Sequence, residues 1–123
     1  MRILFFGNKL VEKDAFIHTL VEKLKKELPE VDFEEADGSE LPAEEELNIL
    51  DVAEGIKEVS LLNDLEKLST GKIFSMHDFD LAQNLKLMKK FGIVKKVKII
   101  AVPAGIDEKK AIDGIKEFIS SLS

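Results

Sequence analysis

Ile3-Leu4-Phe5-Phe6 is four apolar residues without a break, and Gly7-Asn8 cuts the run off. Such a run reads as a strand covered on both faces, with the glycine–asparagine pair as the turn that leaves it. From Lys13 to Leu28 the apolar positions Ile17, Leu20, Val21, Leu24 and Leu28 follow helical spacing, and Pro29 stops the helix. A buried strand running through a short turn into an amphipathic helix is the opening of an α/β sheet.

The remaining chain extends the pattern. Val31 to Ala36 alternates weakly and ends at the turn Asp37-Gly38, giving a short second strand. Ser39 to Glu46 is acidic, contains Pro42, and reads as an exposed loop or a short helical turn. Leu47 to Leu50 is a third strand that closes at Asp51, and Glu58 to Leu62 a shorter fourth. The link from Val52 to Lys57 has no room for a helical crossover, so this fourth strand is expected to be antiparallel or at an edge. Ser75 stands as an N-cap before a helix with Leu81, Leu85 and Met88 on one face, and Gly92 as its C′ residue. Val97 to Val102 is a β-branched strand. Asp107 to Leu122 is a closing helix with Ile112, Ile115, Phe118, Ile119 and Leu122 inward.

The predicted architecture is a single three-layer α/β/α domain over residues 1–123. Its twisted sheet is mostly parallel and five-stranded, with one short antiparallel strand.

Composition narrows the chemistry. A chain of 123 residues buries about two-thirds of its unfolded surface and needs no disulfide or structural metal for stability. With 18 basic against 24 acidic side chains, the net charge of −6 argues against nucleic-acid binding, which rests on neutralising phosphates. Zero cysteines exclude a cysteine nucleophile, an iron–sulfur cluster and a thiolate zinc site. The opening apolar run is too short for a signal peptide, and no window spans a bilayer, so the expected location is the cytoplasm.

In an open α/β sheet, ligands bind outside the carboxyl ends of the parallel strands. The polar residues expected on that rim are Asn8, Glu12, Asp14, Asp37, Asp51, His77, Asp78 and Asp80. Carboxylates at strand ends and one histidine at a helix start form an oxygen and nitrogen donor set suited to a metal ion. Each has a plainer reading: Asp14 favours the helix dipole, Asp51 caps a turn, and His77 is an ordinary helix-start residue. His18, one turn after Asp14, looks like part of a solvated face. Their shared rim is the informative feature.

The ordered set of motifs resembles the hydrogenase maturation endopeptidases. These remove a C-terminal extension from the precursor of the nickel–iron hydrogenase large subunit. The similarity lies in Ile3 to Phe6 with Gly7-Asn8, the acids around Glu12-Lys13-Asp14, Asp37-Gly38, the strand closing at Asp51, and Ser75-Met76-His77 before Leu81-Ala82. It runs from Met1 to about Gly105. The chain departs from the family in having Lys13-Asp14 where members often carry two acids, and Asp37-Gly38-Ser39 where they carry Asp-Gly-Gly.

The resemblance implies an aspartyl-type peptidase in which Asp14, Asp51 and His77 bind nickel and carry the catalysis. The substrate precursor supplies the nickel, and a resident metal is not required. Asp37, Gly38 and Asn8 would help bind the substrate tail. The implied partner is the large-subunit precursor, with no nucleic acid, no membrane insertion and a monomeric chain. No Ser-His-Asp triad is evident around Ser75. Two other readings compete: a receiver-like signalling domain phosphorylated on Asp51, and a non-catalytic metallocentre-binding relative. The receiver reading lacks an acidic pair after the first strand, where Gly7-Asn8 stands, and a lysine before Pro103.

Overall fold

The computed structural model describes residues 1–6, 12–36, 41–63, 74–75 and 85–122, with side chains for all of these except 12–14, 54, 74 and 75. Among the described residues, six strands and three helical segments follow in the order β1 (Arg2–Phe5), α1 (Glu12–Glu27), β2 (Asp32–Glu35), β3 (Glu46–Glu54), β4 (Ser60–Leu62), β5 (Phe74–Ser75), α2 (residues 85–90), β6 (Lys96–Pro103) and α3 (Glu108–Leu122).

The strands form one sheet in the order β2-β1-β3-β6-β4, with β5 paired to β3. The four strands β2, β1, β3 and β6 are mutually parallel. β4 runs antiparallel to β6 at an edge, as the short preceding link requires. The sheet is thus the expected mostly parallel one, with a sixth strand added. That strand, β5, pairs antiparallel with the end of β3 through Ala53↔Ser75 and Glu54↔Phe74. Ser75 therefore lies in a strand and is not a helix N-cap. The predicted helix positions 76–84 lie outside the described residues, and its later part is seen as α2.

Alternation along the buried strands sorts side chains to two faces. Ile3, Phe5, Leu50, Val52, Ile100 and Val102 pack against Ile17, Leu20, Val21 and Leu24 of α1 and Ala111, Ile112, Ile115 and Ile119 of α3. Leu4, Phe6, Leu47, Ile49, Ala53, Val97, Ile99 and Ala101 meet Leu85, Val94 and Met88 on the other face. β1 to β2 steps one way across the sheet and β3 to β6 the other. Right-handed crossovers therefore put α1 and α2 on opposite faces. Each fully buried Leu, Ile or Phe contributes about 1.5–3 kcal/mol of hydrophobic stabilisation, so these two layers dominate the fold.

Local chemistry sets the helix ends. Gly92, at φ 75°, closes α2 in a Schellman motif: the Ile93 N–H donates to the Met88 carbonyl at 2.9 Å and the Gly92 N–H to the Lys89 carbonyl at 3.2 Å. Gly114 lets α3 lie against the β3–β4 link, since a Cβ there would stand 2.8 Å from the Val59 Cβ.

Candidate functional site

The strand order reverses between β1 and β3. β1 leads through α1 to β2 on one side, while β3 lies on the other. The region beyond the carboxyl ends of two such strands is the switch point at which open α/β sheets bind ligands. The last register pair there is Phe5↔Leu50, and the next residue of β3 is Asp51.

Asp51 is 2% exposed and is the one buried charged residue type among the described residues. Its period along β3 places it with Leu47, Ile49 and Ala53, on the face that carries α2. Across the ladder it is paired with Ala101. Ala53 and Ala101 leave little side-chain bulk around the carboxyl group. Asp51 Oδ1 accepts a hydrogen bond from the Val52 N–H at 2.9 Å, at a level that the β1–β3 register no longer reaches. A buried carboxyl group costs several kcal/mol unless such bonds compensate it.

Asp51 does not end its strand. β3 continues to Glu54 because β6 pairs with it through Asp51↔Ala101, Val52↔Val102 and Ala53↔Pro103. The turn-capping reading of Asp51 is corrected by the same ladder, which holds it inside a strand.

Asp14 lies in the first turn of α1, where the helix dipole favours an acid. α1 packs on the face opposite Asp51, so a meeting of the two acids requires approach over the carboxyl rim of the sheet. Asn8, Asp37, Gly38 and His77 lie outside the described residues, as do Asp78 and Asp80. No group of three or more metal-ligating side chains is found among the described residues.

His18 is not on a solvated face. Its side chain is 14% exposed, its Nε2 lies 3.2 Å from Glu35 Oε1, and its ring meets Phe5 edge-on with centroids 5.4 Å apart. The residue ties α1 to β1 and β2, which is a structural task.

A cleft of about 760 Å³ opens between the β3–β4 link and α3, lined by Lys57, Val59, Ile106, Lys110 and Phe118 among others. None of the candidate site residues is among its lining residues. The surface feature that sequence reasoning missed is a strip of exposed apolar side chains, Leu87, Phe91 and Ile93. Its signal was legible: Leu87 and Phe91 are spaced i, i+4 and out of phase with the inward pair Leu85 and Met88.

The fold is an α/β sheet of the open, doubly covered kind. Among solved structures it is similar to an endopeptidase from Escherichia coli, solved in solution, with a TM-score of 0.63 and 22% identity over 99% of this chain and 92% of that one. It is also similar to an uncharacterized protein from Wolinella succinogenes, with a TM-score of 0.53 and 18% identity over 99% and 98% of the two chains. No protein-family model and no curated protein matches the sequence. Among the described residues no helix is long and apolar enough to cross a membrane.

Proposed function

We propose that the chain is an endopeptidase that removes the C-terminal extension from the nickel-loaded precursor of a nickel–iron hydrogenase large subunit. One observation carries the reading: a carboxyl group, Asp51, is buried at the switch point of an open α/β sheet. The likeness of the fold to that of an endopeptidase, over nearly the whole of both chains, is consistent with it.

In this reading Asp14, Asp51 and His77 grip the nickel that the precursor brings. Two carboxylates and one imidazole bind such an ion modestly, which suits a transient test of maturity better than a resident metal. A water molecule attacks the scissile carbonyl carbon, Asp14 or Asp51 takes its proton, and the C–N bond breaks with the proton passing to the leaving amine. Asn8, Asp37 and Gly38 receive the substrate tail. The reaction takes place in the cytoplasm, with the chain acting as a monomer.

Phosphorylation of Asp51 is the less favoured reading, because Gly7-Asn8 stands where a receiver carries an acidic pair and no lysine precedes Pro103.

The test is His77→Ala with a purified nickel-loaded precursor as substrate. The expected result is loss of the cleaved product with an unchanged unfolding midpoint. Undiminished cleavage overturns the assignment.

A further inference from the structure

The carboxyl-rim site leaves one surface unused. Leu87, Phe91 and Ile93 are 50%, 71% and 43% exposed, and with Met1 they are the exposed large apolar side chains among the described residues. Leu87 on α2 and Phe91 just past its end lie one turn apart, joined by the Phe91 N–H to Leu87 carbonyl bond at 3.0 Å. After the Schellman turn at Gly92, Ile93 is again exposed, with its N–H bonded back to the Met88 carbonyl at 2.9 Å, while Leu85 and Val94 turn inward. The strip is held by a fixed backbone rather than by a loop.

Its surroundings are basic. Six of the 18 basic residues fall between Lys86 and Lys98, a stretch with no acidic residue, in a chain of net charge −6. Lys95 and Lys96 are paired with Glu45 and Glu46 at 3.4 and 3.8 Å. Lys86, Lys89 and Lys90 make no ion pair with any described residue. An apolar centre with a charged rim has the anatomy of a protein interface.

We propose that this strip docks an acidic segment of a partner protein that carries two or three apolar side chains within about two helical turns. Charge complementarity selects the occupant: the unpaired lysines require acids, and Leu87, Phe91 and Ile93 require apolar anchors between them. An anionic bilayer supplies both, but as a plane. The acids Glu45 and Glu46 lie against Lys95 and Lys96 next to the strip, so a flat anionic surface meets them as well. A narrow peptide seats on the strip without covering them. The inference stands independently of the peptidase reading, because it uses no residue of the carboxyl rim.

The probe is a synthetic 14-residue peptide of Glu and Asp with Leu and Phe at i, i+4 and i+7 only, added to the full ¹⁵N-labelled chain. Amide shifts confined to residues 85–98 are expected, with affinity falling about tenfold for Phe91→Glu and for Lys89→Glu/Lys90→Glu. Phe91 is exposed, so its replacement leaves the fold standing, which the unperturbed remainder of the spectrum verifies. No shift at about 1 mM peptide overturns the proposal. So does equal binding of a peptide with lysines in place of its acids. Binding to phosphatidylserine vesicles in preference to the peptide assigns the strip to a membrane. Concentration-dependent self-association lost in Phe91→Glu assigns it to a second copy of the chain. Either outcome replaces the proposal.

Discussion

Asp51 stands opposite Ala101 in the β3–β6 ladder, and both belong to the face that carries α2. The side chain next to the buried carboxyl group across the ladder is therefore a single methyl. The group accepts a bond from the Val52 N–H, which makes Asp51 a support for the end of β3 as well as a candidate for chemistry.

Two substitutions separate these tasks. Asp51→Asn keeps an oxygen that accepts the Val52 bond, whereas Asp51→Ala removes it and leaves a buried N–H unsatisfied. The alanine variant is expected to lose about 1–3 kcal/mol more stability than the asparagine variant in urea unfolding. Both are expected to be inactive on the nickel-loaded precursor. Equal stability of the two would show that the Val52 bond contributes nothing.

Gly114 supports a second prediction. A Cβ there meets Val59 at 2.8 Å, and Val59 is β-branched and stiff. Overpacking costs about 1–3 kcal/mol, offset by roughly 1 kcal/mol of helix propensity gained over glycine. Gly114→Ala is thus expected to be destabilised by about 1 kcal/mol, and Val59→Ala in the same chain to reverse part of the loss. A double-mutant cycle by denaturant unfolding measures the coupling.

The two histidines are expected to behave differently. His18→Ala loses the edge-on contact with Phe5, an aromatic pair of about 0.5–1.5 kcal/mol, together with the ring's own burial. Glu35→Ala loses only the contact between His18 Nε2 and a half-exposed carboxylate and costs less, about 0.2–1 kcal/mol. Neither is expected to change precursor cleavage, in contrast to His77→Ala. A processing defect in His18→Ala with its stability intact would move His18 into the site.

Metal removal gives a fourth test. If nickel arrives with the precursor, dialysis against EDTA leaves the thermal midpoint of the isolated chain unchanged within about 1 °C, since no bound ligand is being stripped from the folded state. A fall of several degrees would show a resident ion.

Much of the architecture was legible because local chemistry and tertiary structure agree. Ile3 to Phe5 lies in a strand, Gly92 is a C′ glycine, and the brevity of the Val52 to Lys57 link dictates an antiparallel edge strand. What escaped was decided by partners distant in the chain. β3 runs past Asp51 because β6 pairs with it to Ala53, and Phe74–Ser75 is a strand because the end of β3 offers it bonds. Of the candidate site, only the position of Asp51 toward the carboxyl end of the third strand was readable; the strand order that sets the switch point between β1 and β3 was not, because element order does not fix it. The burial of Asp51 within a strand was not readable either, because nothing local to Leu47–Asp51 reveals how far β6 extends.

The sheet's two borders have a consequence for life at high concentration. β2 is four residues long and presents Asp32, Glu34 and Glu35 outward, while β4 is only three residues. A newcomer strand that tried to lengthen the sheet from the β2 side would set its backbone against a row of negative charge, and from the β4 side would find too little to hold. The fold is thereby guarded against templating its own aggregation at the places where a parallel sheet is most open to it.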